Sequence, residues 1–361
     1  MSTLLYTDVE EELRGAVRQV LADRAPWTAV LKRTEGGEPY DRPLWSTLAA
    51  GIGVAGLPVP EKLGGAGAGW RESAVVAEEL GRAVAPVPHL GAAMATAALL
   101  AVGDDAVLPD VAAGTRTAVL VLPLSTPPDA PPLDVQHSTG RLGGRVTSVA
   151  DAAAADVLLV STVDGLYAVD PADATLTAVT SLDLTRPLSD VTLSGTPATR
   201  VGGDAAQAWR AALLTGTVLL ASEQLGVAEW CLESTVDYVK TRYQFGRPVG
   251  SFQGLKHRLA ELWVAVTQAR AVARYAATCL AGSGADPDPD LAVAASLAQA
   301  HCAPVAVRAA EECVQLHGGI GFTWEHPAHL YLKRAKSAAI ALGTPARHRA
   351  VLGGLVNLPV S

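Results

Sequence analysis

Aromatic residues are scarce in this chain of 361 residues: Phe, Trp and Tyr together make up only 5%. A core with so few rings must be filled by aliphatic side chains, and the abundance of alanine favours helix packed closely on helix. Cysteine is sparse too, with Cys231, Cys279, Cys302 and Cys313 as the full set and no C-x-x-C pair. That excludes a thioredoxin-type motif and leaves buried small hydrophobes in a reducing cytosol. No H-x-x-x-H or H-E-x-x-H spacing occurs, so the commonest helical zinc patterns are excluded and no metal is expected. An excess of positive charge is also lacking. The net charge of −8 argues against nucleic acid as a partner. The first residues, "MSTLLYTDVEEELRG", are acidic and lack an apolar signal core. No uncharged apolar run approaches the roughly 20 residues that a membrane span needs. A soluble cytoplasmic protein without a membrane span is expected.

The length allows two or three domains and a large core, and a hydrophobic fraction of 49% is ordinary for a globular chain. Residues 1–112 read as a helical domain. Thr7 is a candidate N-cap with Glu10 completing a capping box, and Leu13, Val17, Val20 and Leu21 form the apolar stripe that follows. A loop rich in Gly and Pro comes next, then two helices broken around Pro86 and Pro88. Residues 113–202 change texture to short β-branched runs separated by turns, which predicts a small antiparallel β-domain. From 203 to 361 the helical period returns in segments near 205–242, 251–283, 289–317 and 327–341, the pattern of an up-down four-helix bundle. The expected class is α+β, mostly α.

Two stretches carry chemistry. "TRYQFGRPVGSFQGLKHRLAEL", Thr241–Leu262, reads as helix, break, helix, with cations and aromatics crowded into the break. "QLHGGIGFTWEHP", Gln315–Pro327, places two glycines one turn after a glutamine. Gly318 and Gly319 let a backbone approach a ligand closely. Gln315 can aim its amide at the same place. Arg242 can fork onto a phosphate, and Phe245 offers an apolar face. Together they suit a pyrophosphate and a flat ring, against the plainer reading of a helix C-cap and a solvated arginine.

These motifs, R-x-x-F-G-R-P followed by F-Q-x-x-K-H and Q-x-x-G-G-x-G-F-x-x-E-x-P, resemble the acyl-CoA dehydrogenase family, as does the helical–β–helical layout. "GVAGLPVPEKLGGAGAG" and "EELGRAVAPVP" are softer matches near the N-terminus. The resemblance covers nearly the whole chain. It implies an N-terminal helical domain, a middle β-domain and a C-terminal four-helix bundle. It also implies FAD as cofactor, with Arg242, Gln244, Phe245, Gln253, Gln315, Gly318 and Gly319 on the ADP part of the FAD held by a neighbouring subunit.

The rest of the family pattern is worn away. The family's T-E-P and G-S-D stretches correspond here to "PLSTPPDAPPLDV", and its W-I-T run to Ser148, Val149 and Ala150. The family removes an α-proton with a glutamate, a group whose pKa burial can tune upward. Counting forward, the usual base position is Leu342. The alternative base position, early in the first bundle helix, is Gly216 followed by Thr217. Glu223 lies two turns beyond Gly216, about 10 Å along the axis. It is a substitute base or a glutamate bonded within the bundle. His317 reads as part of the Gln-Gly-Gly turn and His348 as a surface residue. The glycines from Gly64 to Gly69 read as a surface turn, since no strand precedes them and no Lys-Ser/Thr follows.

Such a chain makes sense beside a complete homologous subunit in an α2β2 assembly, resembling the short base-less subunits of actinobacterial steroid-type acyl-CoA dehydrogenases. The implied partners are that subunit, an acyl-CoA substrate and an acceptor of the electron-transfer flavoprotein type. The alternatives are a homomeric dehydrogenase using Glu223, or a non-redox acyl-CoA-binding protein.

Overall fold

The computed structural model describes residues 4–282 and 289–357. The expected end of the second bundle helix at 283 and the last residues of the C-terminal domain, 358–361, lie outside the described residues.

The first helix, α1 (Asp8–Arg24), starts where the capping box places it. The Glu10 amide donates to the Thr7 hydroxyl at 3.3 Å, and the Thr7 amide donates to the Glu10 carboxylate at 2.6 Å. Two short helices follow, α2 (Trp27–Thr34) and α3 (Arg42–Ser46), and α3 continues into a π-helical turn over Thr47–Ile52. Past the glycine-rich loop come α4 (Trp70–Ala83), α5 (His89–Val102) and α6 (Leu108–Ala112). The Gly64–Gly69 segment is a turn region, with Gly64 capping a short 3-10 helix in the left-handed conformation.

Two four-stranded sheets make the middle of the chain. One has the order β1 (Ala118–Leu120), β4 (Val157–Ser161), β5 (Leu166–Val169), β8 (Thr199–Gly202). The other has the order β2 (Gln136–Ser138), β3 (Arg141–Ala150), β7 (Leu188–Pro197), β6 (Thr175–Val179). The antiparallel expectation holds for every pair but one. β1 runs parallel to β4, with Ala118 opposite Val157. The period of two explains that strand's composition. Ala118, Leu120, Val157 and Leu159 join the helical core, whereas Val119, Val121, Leu158 and Val160 face the second sheet. A sheet covered on both faces is where continuous apolar runs and parallel pairing occur.

The C-terminal part begins with α7 (Ala205–Thr241), followed by a hairpin of β9 (Tyr243–Gln244) and β10 (Arg247–Pro248). Then come α8 (Gln253–Ala281), α9 (Leu291–His317), α10 (Ala328–Ala338) and α11 (Pro345–Leu355). The expected fourth segment, 327–341, contains α10, and α11 follows it as a further short helix, with Leu342 in the bend between them. α7 and the stretch Leu291–Phe322 are long and apolar enough to cross a membrane by composition, yet their most apolar windows are 94% and 61% buried within the fold. They are core helices whose apolar surface the neighbouring elements already cover.

All four cysteines are free and buried. α4 lies so close against α7 that a side chain on Gly81 or Gly226 would run into the backbone of the opposite helix. That contact joins the N-terminal helices to the bundle.

Candidate functional site

α7 stops at Thr241 because the chain turns into the β9–β10 hairpin. Its two central residues, Phe245 and Gly246, have φ of +53° and +73°. Two successive residues with positive φ are the mark of a two-residue hairpin turn, and glycine at the second position supplies half of it freely. Phenylalanine at the first position is strained. Its ring is 91% exposed and meets Phe252 edge-on, with centroids 6.3 Å apart. The Arg247 guanidinium covers Phe252 at 4.0 Å and holds the hairpin down. The break between the two helices is therefore a built turn that presents Phe245 outward. Arg242, Gln244 and Gln253 are exposed beside it, and the Arg242 guanidinium has no ion-pair or hydrogen-bond partner among the described residues.

The second motif ends α9. Gly318 leaves the helix with φ +62° and ψ −138°, and the chain continues as a 3-10 turn over Gly318–Phe322. A Cβ built on Gly318 or Gly319 meets nothing within 4 Å, so this backbone is open to a ligand. Gln315 is exposed one turn earlier. Tyr238 on α7 stacks on His317 on α9, with centroids 4.4 Å apart, which brings the two motifs to the same end of the bundle. The donors fit the ADP half of FAD: an unpaired guanidinium, three amides, an open backbone and an exposed ring.

The β-domain end does not offer a matching flavin cradle. Ser148 sits in a bulge of β3 with φ +55°, and its amide donates to the Asp190 carboxylate at 2.9 Å. Val149 is fully buried and Ala150 nearly so. Neither can stack on or hydrogen-bond a flavin ring through its side chain.

The two candidate base positions meet at one point. A Cβ built on Gly216 would lie 3.0 Å from Leu342 Cδ1 and 2.7 Å from the Met94 sulfur. Leu342 is wholly buried with φ +51°. Its amide donates to the Leu124 carbonyl at 2.7 Å, and its own carbonyl accepts from His348 Nε2 at 2.8 Å. Leu124 belongs to the loop that stands in place of T-E-P. The same loop is tied to the bundle by an Asp129–Arg347 ion pair and by the Trp209 indole, which donates to the Ala130 carbonyl at 2.8 Å. These contacts fasten the loop to the bundle beside the family's base position. His348, expected at the surface, is only 1% exposed, because it serves as the prop under Leu342. Burial pushes its pKa down, with the Leu342 carbonyl opposing.

Glu223 is 7% exposed and pairs with Arg186 and, at 3.0 Å, with Arg334. Burial pushes its carboxyl up, but the two guanidinium groups outweigh that and hold it below the ordinary carboxylate range. A general base needs the reverse, a raised pKa and an open path to substrate. Arg334 also pairs with Asp183 at 2.6 Å and bonds the Thr185 hydroxyl at 2.6 Å. Asp183 and Arg186 lie close together in sequence, but that run carries no sign of its distant partners. No group of three or more His, Cys, Asp or Glu side chains able to hold a metal ion occurs among the described residues.

Residues 7–115 match the family described as acyl-CoA dehydrogenase, N-terminal domain, and residues 206–354 match acyl-CoA dehydrogenase, C-terminal domain. The chain is 38% identical over 340 residues to the acyl-CoA dehydrogenase IpdE2 of Mycobacterium tuberculosis, covering 92% of each. It is similar to a chain of a variant of the Tcur3481–Tcur3483 steroid acyl-CoA dehydrogenase, with a TM-score of 0.83 and 31% identity over 97% of this chain and 98% of that one. It is also similar to a chain of the ChsE4–ChsE5 complex from Mycobacterium tuberculosis, with a TM-score of 0.86 and 27% identity over the full length of both. The chain belongs to the acyl-CoA dehydrogenase family, whose cofactor is FAD.

Proposed function

We propose that this chain is the non-catalytic subunit of a heteromeric, cytoplasmic FAD-dependent acyl-CoA dehydrogenase. It lends the ADP-binding half of an FAD site to a homologous partner that holds the flavin ring and supplies the base. The observation that carries this reading is Leu342 at the family's base position, wholly buried and held by the Leu124 carbonyl, with Gly216 at the alternative position. The open, exposed grip at the far end of the bundle supports it. So do the neighbours, two of which are subunits of assemblies named with two different chains.

The substrate class proposed is a steroid side-chain CoA thioester, following the steroid dehydrogenase among those neighbours. The acceptor proposed is an electron-transfer flavoprotein. Bound FAD would supply the hydride-accepting chemistry of the dehydrogenation. This chain's part is to place Arg242 on the pyrophosphate, Phe245 and the Gln244, Gln253 and Gln315 amides around the nucleotide, and the Gly318–Gly319 backbone against it. Glu223 is assigned to the fold, because its two arginines keep it ionised and enclosed.

The test is co-purification. The chain alone is expected to carry little flavin and to show no dehydrogenase activity, while co-expression with a homologue that keeps T-E-P, W-I-T and the glutamate yields a flavin-loaded, active complex. Full activity from the purified chain would overturn the reading and return the homomeric alternative. A stable complex that binds acyl-CoA without flavin would leave the non-redox alternative. Within an active complex, Arg242→Ala is expected to weaken FAD retention by roughly 10- to 100-fold, the scale of one lost hydrogen bond to a charged group, and to leave the melting of this chain unchanged.

A further inference from the structure

The grip is divided between two segments far apart in sequence, and one set of stacked rings ties them together. His317 precedes Gly318 directly and is only 3% exposed. One of its faces lies on Tyr238 at 4.4 Å, with 27° between the planes, and it also stacks on His326 at 4.1 Å. The column continues to Trp230, 6.4 Å from His326, and Trp230 lies flat on Tyr331 at 3.6 Å. Tyr331 donates its hydroxyl to the Arg82 carbonyl at 2.5 Å, at the end of α4. At the outer end, the Arg242 amide donates to the Tyr238 carbonyl at 2.9 Å. His317 Nδ1 lies 2.7 Å from the Cys313 carbonyl one turn earlier, which makes it the N–H donor and fixes the ring's rotation. Three of the five rings are Trp or Tyr, in a chain where Phe, Trp and Tyr make up only 5%.

We propose that Tyr238 and His317 are positioning residues for the nucleotide: their stack sets the spacing between Arg242 on α7 and the Gly318–Gly319 backbone on α9, so that both reach one FAD. This rests on the proposed lending of the grip to a partner subunit. The physical argument is one of rigidity. Arg242 follows the last turn of α7 and Gly318 the last turn of α9, where helix ends fray unless tied. Stacked rings resist sliding and tilting, and each such pair stabilises its geometry beyond what its buried area alone contributes. Neither ring needs to touch the cofactor.

The experiment measures FAD dissociation from the flavin-loaded complex carrying Tyr238→Phe, Tyr238→Leu, His317→Phe, His317→Leu or Arg242→Ala in this chain. Circular dichroism and assembly size are followed in each. Tyr238→Phe and His317→Phe keep a flat ring and are expected to hold FAD within about threefold of the parent. The two leucine variants, folded and assembled, are expected to lose about tenfold or more. Combining His317→Leu with Arg242→Ala is expected to add little to Arg242→Ala alone, because groups that act through one contact are not additive. Leucine variants that hold FAD as the parent does, while Arg242→Ala loses it, would show the column to be ordinary core packing. Fully additive losses would overturn the proposal too. If Arg242→Ala leaves FAD retention unchanged, the assignment of the grip itself fails, and with it the premise of the column. Should a leucine variant not fold, the matching methionine variant, which also removes the flat ring, takes its place in the same comparison with Arg242→Ala.

Discussion

Arg334→Met is expected to lower the stability of this chain by about 3–5 kcal/mol, the usual cost of removing one partner from a buried ion pair. Arg334 is 3% exposed and stands between Asp183 at 2.6 Å and Glu223 at 3.0 Å, with Thr185 filling its remaining donors. Methionine matches the stem but leaves two buried carboxylates short of counter-charge. The loss should appear in urea unfolding as a lower midpoint with an unchanged slope. Adding Glu223→Gln and Asp183→Asn to Arg334→Met should recover much of it, because the cost lies mainly in the stranded carboxylates. The pH dependence has a definite sign. Glu223 is held below its unfolded pKa by Arg186 and Arg334, so its contribution is present above pH about 4.3 and is lost as pH falls through the folded value. The gap between parent and Arg334→Met should therefore narrow below about pH 4. A gap that stayed constant through that range, or a variant as stable as the parent at neutral pH, would show that Glu223 is not held by this network.

The network also explains which parts of the molecule the sequence revealed. Short-range patterns were legible. The Thr7–Glu10 capping box, the break at Pro86 and Pro88 and the long bundle helices rest on neighbours within four residues. The two glycine-bearing motifs were visible because their turns demand glycine at fixed offsets. Long-range pairing was not legible. Nothing in "LDLTRP" says that Arg186 reaches Glu223, 37 residues on, or that Arg334 completes the group 111 residues beyond Glu223. His348 looked like a surface histidine because its partner is a backbone carbonyl, which has no sequence signature. The parallel β1–β4 pair escaped for a similar reason: a three-residue strand buried on both faces shows no alternation. The hairpin at Phe245–Gly246 was hidden by the phenylalanine, which ordinarily argues against positive φ.

Leu342→Glu, which puts a carboxylate at the family's base position, is expected to destabilise the chain by about 3–5 kcal/mol and to confer no dehydrogenase activity. Leu342 is wholly buried against Gly216 and Met94, and a carboxylate there would meet the Met94 thioether and the Cβ-less face of Gly216. The contrast with Glu223 is informative, since both side chains would lie beside α7. Glu223 has two guanidinium groups and a lowered pKa. The introduced glutamate would have burial alone, which raises a carboxyl's pKa. The sign is then reversed. A folded pKa above the unfolded value makes the variant lose stability as pH rises past about 4.3, so its deficit against the parent should be largest at neutral pH and smallest in acid. Thermal melting at several pH values reads this directly. Turnover of an acyl-CoA by the isolated variant, with flavin bound, would show that a missing carboxylate was all the site lacked. The expected result, an inactive and pH-sensitive variant, follows from a buried position with no counter-charge and a β-domain in which Ser148, Val149 and Ala150 replace the family's W-I-T run. A carboxylate alone does not restore a base where the groups that hold the flavin ring are missing.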